Sequence, residues 1–272
     1  MTLTVSTGDH VIELDDVAMA YGDSDTPVIA GVDLRVERGE FVTLFGRSGC
    51  GKSTLLNIVA GLLPPTKGEV RFRGSRVEGV NTQVSYLTQE DTLLPWRSTR
   101  KNIELPLRLR GYPKTELRPR VDEYLELLNL REAADKYPAQ LSGGMRRRTL
   151  IARSMVYEPS VLLMDEPFGA IDASLREELH EELRHAVEQL DLTVVFVSHD
   201  IAEAALLSDR VVVFRTSETA PTRLSSELEI PFGRPRDLAE IRLSTQYVEL
   251  QRRLRMELDG EGSPASAGEV AR

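Results

Sequence analysis

An α/β fold built on a largely parallel sheet is predicted for this chain by three observations. Strand-like apolar runs alternate with helical segments along the sequence. Two of those runs, VLLMD at 161–165 and TVVFVS at 193–198, are apolar almost throughout, as strands covered on both faces are. A third, EFVTLF at 40–45, runs straight into the glycine loop GRSGCGKS, Gly46 to Ser53, and then into a helical segment.

The elements follow in order. VIELDDVAMAY (11–21) reads as a strand near a sheet edge, and GVDLRV and EFVTLF as the next two. Residues 52–63 read as a helix stopped by Pro64 and Pro65. EVRFRG is a short alternating strand, and VSYLTQ is another that leads to Gln89. Residues 99–130 and 142–157 carry helical periodicity, with Val121, Leu125 and Leu128 on one face. After VLLMD come a charged amphipathic helix over 174–190, the strand TVVFVS, a helix from Asp200 and the strand RVVVF. Residues 216–233, with their Pro and Ser, read as an irregular extension, and 237–258 as helical. DGEGSPASAGEVAR has the composition of a disordered tail. The expected division is a nucleotide-binding core over 1–90 and 155–215, a helical insertion over 91–154, a C-terminal extension over 216–258 and the tail over 259–272.

Bulk properties narrow the function. With 41% hydrophobic and 28% charged residues over 272, the composition is that of an ordinary globular chain. No apolar stretch approaches the roughly 18–20 residues that span a bilayer, and the first residues lack the basic and apolar regions of a secretory signal. A cytosolic setting is the expectation. The net charge of -9 argues against a dedicated nucleic-acid partner. One basic stretch, Arg97 to Arg120, breaks the acidic trend; it reads either as a solvated helix face or as a surface near anionic headgroups or an acidic partner loop. The single cysteine, Cys50, excludes an intrachain disulfide, and the four histidines show no zinc-type spacing.

The loop Gly46–Ser53 matches the phosphate-binding pattern in the context that pattern requires. Its glycines let backbone N–H groups curl around a phosphate, and the helix that follows adds unsatisfied donors and a positive dipole end. Lys52 supplies a cation to the outer phosphates, and Ser53 a hydroxyl for Mg²⁺. Cys50 inside the loop is either a small filler or a thiol activated by the helix N-terminus, in which case alkylation would block nucleotide binding. Ligands of open parallel sheets sit beyond the carboxyl ends of the strands. Asp165, at such an end, is suited to Mg²⁺, and Glu166 to accepting a proton from an attacking water. His199 and Gln89 also follow strands, the first suited to a γ-phosphate contact, the second to orienting water or ligating Mg²⁺.

A second glycine loop, LSGGM at 141–145, raises the question of what it holds, since one phosphate loop is already present. Taken together and in this order, GRSGCGKS, Gln89, LSGGM, VLLMDEP and His199 resemble the nucleotide-binding subunit of ABC transporters over roughly residues 11–215. The resemblance implies a P-loop, RecA-like ATPase core with an antiparallel β subdomain and an inserted helical subdomain. It implies a head-to-tail dimer with two ATP molecules and Mg²⁺ between the copies, so that Ser142, Gly143 and Gly144 hold the partner's ATP. Nucleotide contacts would then run through Gly46, Arg47, Ser48, Gly49, Cys50, Gly51, Lys52, Ser53 and Thr54. Tyr21 matches the aromatic residue stacked on adenine, with core packing as its alternative. Asp172 matches the acidic residue of a loop crossing the dimer interface. Met145 and Arg147 depart from positions often held by Gln, and Arg47 from a frequent Pro.

LLPWRSTRKNI (93–103) and the late helical segment further resemble the ATPases of the nitrate/sulfonate/taurine importer group. That implies transmembrane permease subunits whose coupling helix meets the insertion after Gln89. It also implies a solute-binding protein, periplasmic or lipid-anchored, as an indirect partner, and a peripheral place on the cytoplasmic face of the membrane. Trp96, the only tryptophan, is either a packing anchor or part of that junction. The competing readings are a soluble non-transport ABC ATPase and a non-hydrolysing regulatory module. The first usually carries paired cassettes or long coiled coils, neither of which the chain shows, and the intact Lys52, Asp165, Glu166 and His199 oppose the second.

Overall fold

The structure, a computed structural model, describes residues 10–22, 27–169, 171–217 and 220–259. Beyond Asp259, the expected disordered tail lies outside the described residues. The strands are β1 (His10–Met19), β2 (Ile29–Glu37), β3 (Phe41–Gly46), β4 (Lys67–Phe72), β5 (Ser75–Arg76), β6 (Val84–Leu87), β7 (Val161–Asp165), β8 (Thr193–Ser198), β9 (Arg210–Ser217) and β10 (Ala220–Glu229). They form one ten-stranded sheet in the order β5-β4-β1-β2-β10-β9-β3-β8-β7-β6.

The half that matters for chemistry is parallel. β6, β7, β8, β3 and β9 run the same way, so their carboxyl ends share one edge. The continuous apolar runs are explained by period-two packing against both faces. In β7 and β8, Leu162, Met164, Val194 and Phe196 join one core cluster while Leu163, Val195 and Val197 join the other. The other half is an antiparallel group in which β1 pairs with β2 and β4.

The helices are α1 (Lys52–Val59), α2 (Thr99–Leu109), α3 (Lys114–Leu127), α4 (Gly143–Met155), α5 (Ala173–Gln189), α6 (Ile201–Leu207), α7 (Leu238–Leu243) and α8 (Thr245–Asp259). No described helix is long and apolar enough to cross a membrane. Several expected helices are shorter. α1 stops at Val59 because the chain folds back at Gly61 (φ 68°), where a Cβ would lie 1.8 Å from the Gly79 carbonyl oxygen. The run 99–130 is broken after α2 by Gly111 (φ 77°), and the run 237–258 is broken at Ser244.

One expectation fails outright. Residues 216–233 are not an irregular extension: β10 occupies Ala220–Glu229 and enters the main sheet, antiparallel to β9 and bridged in parallel to β2 through Thr222 and Ile29. Its inward positions include polar Thr222 and Ser226, which hides the alternation that a more apolar strand displays. The C-terminal extension is therefore partly core.

The basic stretch is largely paired within the chain. Arg100 meets Asp122, Arg108 meets Glu104, and Arg120 meets Glu158. The Arg110 guanidinium lies 3.9 Å from the Tyr157 ring centroid. Trp96, by contrast, is 70% exposed, so the packing-anchor reading does not hold; Leu93 and Ile103 are the buried apolar residues of that segment.

Candidate functional site

The phosphate loop forms where β3 ends. β3 is buried along its whole length, which fixes the loop's start at Gly46 against the sheet. The loop then turns into α1 through Gly51, whose φ of 91° and closeness to Ile29 (2.5 Å from a Cβ placed there to Ile29 Cγ2) leave room for glycine alone. No side chain caps α1, so its first N–H groups face the loop. Lys52 is 4% exposed, and its Nζ donates to the carbonyl oxygens of Gly46 (2.8 Å) and Arg47 (2.9 Å). Its cation thus sits at the centre of the loop. Arg47, Ser48 and Gly49 are exposed on the loop, and Thr54 is buried behind it.

Cys50 is buried, with Sγ 3.0 Å from a Cβ placed on Gly46 and 3.6 Å from Lys52 Nζ. It fills the loop's interior, which is the filler reading; a buried thiol is a poor target for an alkylator. The Tyr21 hydroxyl lies 3.0 Å from Thr54 Oγ1 and the residue is half exposed, so it flanks the loop without joining the core.

Adjacent strands bring the carboxylates to the same edge. Ser53 Oγ donates to Asp165 Oδ1 at 2.9 Å. Burial raises the Asp165 carboxyl above its ordinary range; the Ser53 hydrogen bond opposes this and the neighbouring Glu166 charge adds to it. Glu166 sits in left-handed backbone (φ 42°), with its N–H held by the Val197 carbonyl at 3.0 Å. This strained turn re-aims the side chain along the sheet edge. There Glu166 Oε1 lies 3.1 Å from His199 Nδ1. Gln89 is part of the same group: a Cβ on Gly169 would lie 3.7 Å from Gln89 Nε2 and 4.0 Å from Glu166 Oε2.

This arrangement suits Mg²⁺ and a nucleotide triphosphate. Among the described residues there is no cluster of three or more His, Cys, Asp or Glu able to hold a metal. One under-neutralised carboxylate, one hydroxyl and one amide form an all-oxygen donor set that leaves positions for phosphate oxygens and water, as Mg²⁺ prefers.

The LSGG loop is built differently. Ser142 caps α4, accepting from the Met145 N–H at 3.2 Å, and Gly144 packs where a Cβ would lie 2.6 Å from Leu175 Cδ1. Among the described residues, no hydrogen bond joins Ser142, Gly143 or Gly144 to the phosphate loop. Asp172 is the exposed N-cap of α5, accepting from the Leu175 N–H at 3.0 Å.

Three residues of this region escaped the sequence reading or were read too lightly. Tyr86 on β6 lies against Asp165; burial and then that carboxylate push its hydroxyl pKa up. Glu203, 4% exposed, accepts from Ser198 Oγ at 2.5 Å and lines the same small cavity as Glu166 and His199. A lone carboxylate beside Ala204, Ala205, Leu206 and Leu207 was the available signal. Arg147 is 6% exposed, and burial pushes its pKa down to about 10 against the charges of Asp91 and Glu203. It donates to the Thr88 carbonyl, tying α4 to the segment that carries Gln89.

Comparison with known proteins agrees with this geometry. Residues 29–169 match the family model described as ABC transporter. The chain is 42% identical over 252 residues to the nitrate import ATP-binding protein NrtD of Synechococcus elongatus, covering 91% of this chain and 90% of that one. It is 41% identical over 248 residues to the nitrate import ATP-binding protein NrtC of the same organism, but spans only 37% of that relative's length. It is likewise 41% identical over 232 residues to the bicarbonate transport ATP-binding protein CmpC of that organism, spanning 35% of its length. Among solved structures, the dimeric post-hydrolysis state of the ATP-binding cassette MJ0796 bound to ADP and Pi matches with a TM-score of 0.70 and 29% identity, over 82% of this chain and all of that one.

Proposed function

The chain belongs to the ABC transporter family, and from that premise we propose that it is the ATP-hydrolysing subunit of an importer for a small anion. One observation carries the reading: the Lys52 loop, Ser53, Asp165, Glu166, Gln89 and His199 meet at one sheet edge, with Glu166 and His199 3.1 Å apart. The roles follow from chemistry. Backbone N–H groups from Gly46 to Thr54 and the Lys52 ammonium bind the phosphates, and Tyr21 stacks on adenine. Ser53, Asp165 and Gln89 hold Mg²⁺, which when bound neutralises charge on the transferring phosphoryl group. Glu166 orients the attacking water and accepts its proton. His199, with Nδ1 turned to Glu166, keeps Nε2 for the γ-phosphate.

The exposed Ser142 and Gly143 of a second copy, with Gly144 buried behind them, complete the site from across a head-to-tail interface, to which Asp172 also contributes. ATP closes that interface and hydrolysis opens it. Permease subunits dock on the helical insertion near the exposed Trp96, which places the chain on the cytoplasmic face of a membrane, and a solute-binding protein acts through them. Relatives named for nitrate and bicarbonate support an anionic cargo such as nitrate, sulfonate or taurine.

The test is Glu166→Gln. Turnover should fall by about a hundredfold or more, and the variant should migrate as a dimer with MgATP on size-exclusion chromatography. Unchanged turnover would exclude Glu166 as the base. A specific activity independent of dilution and indifferent to Ser142→Ala would exclude the shared site.

A further inference from the structure

The C-terminal helix returns to the phosphate loop. α8 packs through the buried Tyr247, Leu250 and Leu254, and its last turn is fastened beside β9. Arg215 Nε donates to the Glu257 carbonyl at 2.8 Å, Arg215 Nη2 reaches Glu257 Oε2 at 3.0 Å, and Ser226 Oγ donates to the same carboxylate at 2.8 Å. Arg215 follows Phe214, whose carbonyl oxygen lies 2.8 Å from a Cβ placed on Gly46. The helix end is thus pinned next to the loop by contacts independent of the loop itself. From there Asp259 Oδ1 reaches Arg47 Nη2 at 3.5 Å.

Two features make this placement unusual. A helix's last turn favours cations because its carbonyls carry the negative dipole end, yet the last turn of α8 contains Glu257 and Asp259 and no basic residue. The anionic end is also aimed at a loop built to bind a polyanion. Among the described residues, the cations that meet these two carboxylates are Arg215 and Arg47.

We propose that Arg47 is a further phosphate-binding residue and that Asp259 is its built-in competitor. With Asp259 engaged, the guanidinium is neutralised beside the loop. When nucleotide phosphates arrive, Arg47 exchanges one carboxylate for them, and the helix end loses its cationic partner. Nucleotide binding and the seating of the last turn of α8 therefore oppose each other, and whatever lifts α8 strengthens nucleotide binding. This inference rests on the proposed nucleotide site.

The experiment is a double-mutant cycle in the full chain: the affinity for Mg-AMPPNP of the parent, Asp259→Asn, Arg47→Ala and the double variant, by calorimetry, with thermal melts to verify folding. Asp259→Asn should bind two- to fivefold more tightly at low salt, as expected for an exposed charge pair, and the gain should fade as the ionic strength rises. Arg47→Ala should bind more weakly, and Asp259→Asn should add nothing in its background. Equal affinity of Asp259→Asn and the parent overturns the proposal. So does a gain that persists undiminished without Arg47. A folded parent that binds no Mg-AMPPNP refutes the nucleotide site itself, whereas binding without coupling refutes only the competition.

Discussion

The two ends of the parallel strands hold the same residue types in opposite circumstances. At the amino end of β9, Asp209 receives the Phe41 N–H at 2.9 Å, the Arg236 guanidinium at 2.8 Å, and contacts from Arg184 and Arg234. Burial alone would raise its carboxyl, but the Arg234 hydrogen bond and the Arg184 and Arg236 charges outweigh burial and hold it below the ordinary range. At the carboxyl end, Asp165 has Ser53 as its neutral partner, and burial wins. The cations differ in the same sense. Arg184, 1% exposed, donates to Glu188, the Leu207 carbonyl and Asp209. Arg147, nearly as buried, has two 3.5 Å bonds to one carbonyl and an unpartnered Nε. A charge satisfied by its own chain is structural. One left short of partners is kept for a ligand or a moving segment, and the chain bears the cost in stability.

The contrast is open to attack in four places. The largest effect is expected at the ligand end: Lys52→Ala should weaken MgATP binding by about a hundredfold with a much smaller effect on melting temperature, the only intrachain bonds lost among those described being the ammonium's bonds to the Gly46 and Arg47 carbonyls and the Cys50 sulfur. A comparable loss of stability would show that Lys52 is a structural charge after all.

Next is Asp209→Ala, which strands buried guanidinium groups and should cost about 3 kcal/mol in denaturant unfolding, with nucleotide affinity of the folded fraction unchanged. The sign with pH is definite. A lowered native pKa contributes stability above the unfolded carboxylate value, near about 4, and loses it as pH falls through the native value. The variant should therefore lose part of the parent's acid sensitivity below that point.

Asp165 has the opposite sign. Its raised native pKa means that ionisation costs stability as pH rises from the unfolded value through the native one. Asp165→Asn should then melt about 2 °C higher at pH 7 while Mg²⁺-dependent ATP binding collapses. A lower melting temperature would place Asp165 in the same class as Asp209. The smallest effect is at Arg147→Met, expected to be neutral or stabilising by up to about 1 kcal/mol in the same denaturant assay. Marked destabilisation would mean that the Thr88 bonds are stronger than their length implies.

The ligand end was far more legible in the sequence than the structural end, for a physical reason. Phosphate binding needs glycines, a lysine and a hydroxyl at fixed spacing along one loop, so GRSGCGKS carries its purpose locally. VLLMD and TVVFVS announced Asp165 and His199 because a strand buried on both faces has a composition of its own. The Asp209 hub joins Arg184 of α5 to Arg234 and Arg236 of the segment after β10, and no local pattern encodes a meeting of that kind. β10 was hidden because Thr222 and Ser226 face inward, and Glu203 because its partner Ser198 lies on another element.

The position of β10 has a consequence for biogenesis. Of the described strands it is the last to leave the ribosome, yet it is wedged between β2 and β9. Until it emerges, those two strands present unpaired backbone edges of the kind that nascent chains misuse for aggregation. Synthesis must therefore pass residue 229 before the sheet closes, and a ribosome stalled short of that point displays a sticky half-sheet whose phosphate loop is already complete in sequence.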